Sequence, residues 1–232
     1  MADRGSETRL PRNLPNLITG LRLLLAVALF VILAGIDASH RQPNGPVIQY
    51  FAVKERLLLN VCLVIFVTAA ISDIVDGQVA RRWGLQTDFG RIVDPFADKV
   101  IVCGAFVQLV PFEGAQVASW MVVVILAREL LVDGLRGFAE AKGVAFPAVM
   151  SGKLKMTVQC ACLTWIFLAL ANLDGLAWAR TVTQTLVWAT LVVTVYSGLQ
   201  YVIRARRVLS SDALATLTEV QASADAPDRG AA

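Results

Sequence analysis

Histidine is nearly absent from this chain: His40 is the only one in 232 residues. Zinc is held by His and Cys in tetrahedral sets, so a sequence with one imidazole, placed far from any acidic cluster, does not suit zinc. The four cysteines, Cys62, Cys103, Cys160 and Cys162, form no C-x-x-C pair. All four fall inside apolar stretches and read as small packing residues. Charge is scarce too. Asp, Glu, Lys and Arg make up 17% of the chain, against about 25% in a typical soluble domain. Hydrophobic residues make up 56%, and the mean hydropathy is +0.63. These values exclude an ordinary soluble domain and predict an all-α, polytopic membrane protein of one domain. No internal repeat is visible, which argues against the inverted-repeat plan of many transporters. No A-x-A-like cleavage site cleanly follows the first apolar stretch, so that stretch reads as a span and not as a signal peptide.

What the chain does contain is six apolar stretches, at about 17–34, 57–81, 90–110, 117–139, 150–171 and 176–203. Each is near or above the roughly 20 residues that a helix needs to cross the hydrocarbon core. The expected fold is therefore a six-transmembrane-helix bundle over 17–207. A short interfacial segment, 1–16, kinked by Pro11 and Pro15, precedes it. The segment 37–50 reads as a surface loop, and 208–232 as a disordered cytoplasmic tail. Lys and Arg concentrate at the N-terminus, the turn 82–89, the connection holding Lys142, and Arg204, Arg206 and Arg207. The opposite side holds Arg41, Lys54, Arg56 and Arg180. The positive-inside bias places the first group, and both termini, in the cytoplasm. Trp83, Trp120 and Trp178 fall near span ends, as an aromatic belt requires.

Within this greasy frame lies a cluster of carboxylates. The chain reads Asp73-x-x-Asp76-Gly77-x-x-Ala80-Arg81, then eight residues, then Gly90-x-x-x-Asp94-x-x-x-Asp98. Asp73 and Asp76 are i, i+3 and Asp94 and Asp98 are i, i+4, so each pair lines one helical face. Charges at membrane depth are costly and need partners. Four hard oxygen ligands suit one or two divalent cations, Mg²⁺ or Mn²⁺. Gly77, Ala80 and Gly90 are small enough to let another helix, or a nucleotide, approach the backbone. A diphosphate bridged by metals between carboxylates is an electrophile, and a carboxylate can take the proton of an attacking hydroxyl.

This pattern resembles the signature of the CDP-alcohol phosphatidyltransferases, with every fixed position present. The resemblance implies CDP-diacylglycerol as donor and CMP as leaving group. It implies that Asp73, Asp76 and Asp94 hold metal, and that Asp98 holds a second metal and acts as general base. It also implies donor contacts from Asp76, Gly77, Ala80, Arg81 and Gly90, a homodimer, and a site at the cytoplasmic face of a bacterial inner membrane. No nucleic-acid partner is implied.

The acceptor is read from later residues. Arg128, Val132 and Arg136 recur at i, i+4 and i+8, so both arginines share a face. With Lys153 or Lys155 they suit a phosphate-bearing acceptor, Arg giving bidentate contacts. The same cations could instead mark topology and lipid headgroups. Ala127-Arg128-Glu129, Arg136 and Gly152-Lys153-Leu154-Lys155 resemble the branch of the family that acts on glycerol 3-phosphate, as does Asn13-Leu14-Pro15-Asn16-x-x-Thr19-x-x-Arg22. That adds Asn16, Thr19, Arg22 and Glu129 as candidate site residues. Asp133 and Met156 depart from the branch. The alternatives are the same chemistry on inositol phosphate, serine or another lipid alcohol, or a divalent-cation transporter.

Overall fold

The computed structural model describes the backbone of residues 14–41, 55–83, 88–141 and 150–224, and the side chains of 17, 19–37, 55–72, 93, 96–141 and 150–206. Among these residues the regular structure is entirely helical. Six α-helices run in the order α1 Leu14–Arg41, α2 Glu55–Trp83, α3 Asp88–Leu109, α4 Ser119–Ala141, α5 Met150–Asn172 and α6 Ala177–Ala224, with a 3₁₀ turn, Glu113–Ala115, between α3 and α4. One helix stands on each of the six apolar stretches.

The differences lie at the ends. Helix α1 starts at Leu14 with Pro15 in its first turn, so Pro15 opens this helix and does not kink a separate segment. Proline is tolerated there because its missing N–H would have no helical partner. The same helix runs on to Arg41, which places His40 on a helical turn and shortens the expected loop. The rest of that loop, 42–50, and the expected interfacial residues 1–13 lie outside the described residues. Helix α6 continues past Arg207 to Ala224, where the composition suggests an unfolded tail. Residues 211–224 contain neither Gly nor Pro, and a helix satisfies its backbone hydrogen bonds without a core to pack against.

The helices form a closed ring. Helix α1 packs broadly on α2 and α3, α2 on α5, α5 on α6 and α6 on α4, with α4 returning to α3. Among the described residues the consecutive helices α2 and α3 touch little directly, while α1 contacts them both. The buried residues of α1, Thr19, Arg22, Ala26, Leu29, Leu33 and Ile36, recur every three or four positions. Leu59, Cys62, Phe66 and Ala69 do the same on α2. That spacing makes one inward stripe per helix. Outside it, Leu17, Leu21, Leu24 and Val31 are more than half exposed, an outward face suited to hydrocarbon. Four helices contain segments long and apolar enough to cross a membrane: Thr19–Asp37, Glu55–Ser72, Met150–Asn172 and Ala177–Arg206. The remaining two, α3 and α4, have the length but carry the charges discussed below.

Side-chain pairs fix the directions. Asn60 at the start of α2 and Asn172 at the end of α5 exchange amide hydrogen bonds of 3.0 and 3.4 Å. Phe66 meets Phe167 with ring centroids 5.7 Å apart, so α2 and α5 run antiparallel. Trp120 and Trp188 lie 5.9 Å apart, near the starts of the parallel pair α4 and α6. Helices α1 and α3 are parallel, and at Gly104 an added Cβ would collide with the ring tip of Phe30. Gly104→Val should therefore force the Phe30 ring to give way. It is expected to cost about 1–3 kcal/mol, read as a lower thermal midpoint in detergent, and a variant as stable as the parent would contradict this packing.

Candidate active site

The four signature aspartates occupy one end of the bundle. Asp73 and Asp76 stand in the last three turns of α2, and Asp94 and Asp98 in the first three turns of α3. Gly77, Ala80 and Arg81 follow on α2 and Gly90 precedes on α3. Of these residues only Asp98 has a described side chain, and of Asn16 on α1 the backbone alone is described. Among the described residues no three His, Cys, Asp or Glu side chains are gathered about one point, and three of the four aspartates are outside that set.

Asp98 meets Arg22 of α1. The guanidinium Nη1 donates to Oδ1 at 2.6 Å, and Arg22 is 3% exposed. Thr19, one turn earlier on the same inward stripe, is buried as well. The candidates Thr19 and Arg22 thus reach the end of the bundle that holds the aspartates, with α1 as the carrier.

Beside Asp98 opens a pocket of about 290 Å³ whose lining includes Arg128, Arg136, Lys153 and Lys155, together with Glu129, Asp133 and Met156. All four basic residues singled out from the sequence converge there, from two different helices. Glu129 is buried and accepts from Arg128 Nη1 at 3.2 and 3.3 Å and from the ammonium of Lys155. Asp133 pairs with Lys99, the neighbour of Asp98 on α3. A carboxylate between two buried cations lowers the cost of keeping both ionised away from water. Lys153, by contrast, is exposed at the rim.

Helix α6 completes the pocket with residues that sequence reasoning missed. Ser197 Oγ accepts from Arg128 Nη2 at 2.7 Å. Tyr201, 2% exposed, turns its ring toward the Arg128 guanidinium at 5.5 Å. Its hydroxyl accepts from Arg136 Nη2 at 3.3 Å. At Gly198 a Cβ would stand 3.0 Å from Cγ of Arg128, so the missing side chain leaves room for the arginine stem. A signal was present: Thr183, Thr190, Thr194, Ser197 and Tyr201 form a buried polar stripe at helical spacing in an apolar helix. A larger cavity, about 370 Å³, lies at the opposite end by the α5–α6 turn, and its charged lining residues, Glu113, Asp174 and Arg180, are all exposed.

Chemically, the pocket offers a cluster of cations to a small anion next to a carboxylate that belongs to an acidic motif. Such a pairing suits an enzyme that binds a small anion beside a carboxylate able to accept a proton. Residues 12–196 match the sequence model of the CDP-alcohol phosphatidyltransferases, and the chain belongs to that family. It is 34% identical over 190 residues to the CDP-diacylglycerol–glycerol-3-phosphate 3-phosphatidyltransferase of Bacillus subtilis, covering 82% of this chain and 93% of that protein. The protein of the same name from Mycoplasma pneumoniae is 36% identical over 148 residues, 64% of each chain. A probable phosphatidylglycerophosphate synthase of Mycobacterium tuberculosis is 34% identical over 195 residues, 84% of this chain and 82% of that one.

Removing the shared carboxylate isolates its role in the fold. Glu129→Ala leaves Arg128 and Lys155 buried without it and should lower stability by about 3–5 kcal/mol. Glu113→Ala, on the exposed 3₁₀ turn, should change it little. Equal thermal midpoints for the two variants would contradict the compensating role of Glu129.

Proposed function

We propose that the protein transfers the phosphatidyl group of CDP-diacylglycerol to glycerol 3-phosphate, giving phosphatidylglycerophosphate and CMP. The observation that carries this reading is that Asp98, last of the four signature aspartates, lines the same pocket as Arg128, Arg136, Lys153 and Lys155. A dianionic phosphate is the natural ligand of several converging cations, two of them arginines whose planar forks match its oxygens. The names of the bacterial relatives support the same acceptor.

In this mechanism the cations hold the acceptor's phosphate and leave its hydroxyl toward Asp98. Asp98 takes the hydroxyl proton as the oxygen attacks the lipid-side phosphorus of the donor. The bond from that phosphorus to the bridging oxygen breaks, and CMP leaves with the electron pair. Arg22 holds Asp98 in place. Arg81, with the small residues Gly77, Ala80 and Gly90, borders the donor's diphosphate. Asp73, Asp76, Asp94 and Asp98 are the residues that would hold divalent cations: they are all-oxygen donors on two facing helix ends, the set that suits Mg²⁺ or Mn²⁺. Bound there, such ions would neutralise the diphosphate oxygens.

The same reading makes all six helices membrane spans, α3 and α4 included. Of their described charges, Asp98 pairs with Arg22, Lys99 with Asp133, and Glu129 with Arg128 and Lys155, as ionised groups in a membrane require. The positive-inside bias sets the pocket at the cytoplasmic face of a bacterial inner membrane. A homodimer is part of the proposal through family resemblance alone.

Measurements of CMP release test it. Excess EDTA should abolish turnover, with Mg²⁺ or Mn²⁺ restoring it, and Asp98→Asn should lower kcat by roughly 10²-fold or more. Full turnover in EDTA would remove the metal from the mechanism. In an acceptor panel of glycerol 3-phosphate, inositol phosphate and serine, only the first should support full turnover. Arg128→Ala should raise its KM by roughly 10–100-fold while the donor's KM stays close to the parent value. An unchanged acceptor KM would move the phosphate site elsewhere.

A further inference from the structure

Gln159 sits in the third turn of α5, one turn beyond Lys155, and is 1% exposed. It lines the pocket that holds Asp98 and Arg128. Its amide Nε2 donates to Thr194 Oγ1 of α6 at 3.3 Å, and Thr194 is itself fully buried. That bond fixes the planar amide and turns its carbonyl oxygen to the other side. Among the described residues Gln159 Oε1 has no hydrogen-bond partner. A buried acceptor without a donor is costly and calls for a reason.

A phosphate dianion cannot supply that reason, because it has no proton to donate. A hydroxyl can. The other acceptors lining the pocket are engaged, Glu129 by Arg128 and Lys155 and Asp133 by Lys99. Glycerol 3-phosphate carries two hydroxyls, of which only one is consumed. We infer that Gln159 reads the acceptor's non-reacting, central hydroxyl, which donates to Oε1 while the terminal hydroxyl attacks. Gln159 is then a specificity-determining residue: the cations recognise any small phosphate ester, and the carbonyl of Gln159 selects one bearing a hydroxyl at its centre. This rests on the acceptor reading above.

The test compares glycerol 3-phosphate with propane-1,3-diol monophosphate, which keeps the phosphate and the terminal hydroxyl and lacks only the central one. The parent enzyme should favour glycerol 3-phosphate in kcat/KM by at least about tenfold, because the analogue leaves a buried polar atom unpaired. Gln159→Met keeps the volume and removes the acceptor atom. It should lower kcat/KM for glycerol 3-phosphate only and bring the ratio close to unity. Gln159→Glu keeps an oxygen in place; it should weaken binding of both anions and preserve the preference. A merely structural role for Gln159 would depress both esters alike and leave the ratio intact, and that result would overturn the inference. Equal use of the two esters by the parent enzyme would overturn it as well, without any variant. If neither ester released CMP while an unphosphorylated alcohol did, the glycerol 3-phosphate reading itself would fall and the role of Gln159 with it.

Discussion

An ionised side chain held among apolar helices must find its counter-charge within the bundle, and this constraint organises the whole structure. Among the described residues three ion pairs each join two helices. Arg22 of α1 answers Asp98 of α3, Lys99 of α3 answers Asp133 of α4, and Lys155 of α5 answers Glu129 of α4. Ser197 and Tyr201 bring α6 to the arginines of α4. The apolar stripes bring the helices near one another, and oily contacts are forgiving of small slips. Charge pairs are not, because a shift of one turn leaves both partners buried and bare. The charged groups that line the pocket therefore also fix the register of the ring.

Much of this was legible in the sequence. The apolar runs located all six helices, since length and hydropathy are local properties. The aspartate signature and the shared face of Arg128 and Arg136 were legible for the same reason: helical periodicity converts spacing into direction. Helix ends were less so, because Pro15 and the stretch 211–224 are compatible with more than one backbone state, and the choice between them is not written in composition. Partner choice was not legible at all. Arg22 and Asp98 are 76 residues apart and Arg128 and Ser197 are 69 apart, and no local rule connects such positions. Asp133, a departure from its branch when seen alone, acquires a physical reason only beside Lys99. Tyr201 was overlooked because its role depends on two arginines in another helix.

In the proposed mechanism, donor and acceptor chemistry are drawn from different parts of the chain. The aspartates come from one compact stretch, 73–98, at the facing ends of α2 and α3. The cations come from α4 and α5, steadied by α6. On that reading, substituting the later residues would change which small anion is accepted and leave the acidic signature untouched. A family whose members share a donor and differ in acceptor needs that separation.

Asp98 and Lys99, adjacent in sequence, project about 100° apart around α3 and are gripped from opposite flanks, one by α1 and the other by α4. Turning α3 about its own axis in either direction would pull on one grip while slackening the other. A helix held in this way works like a keyed shaft. It carries the carboxylate of Asp98 at a fixed angle to the cation-lined pocket, so the two stay aligned even while the lipid-facing surfaces slide in a fluid membrane.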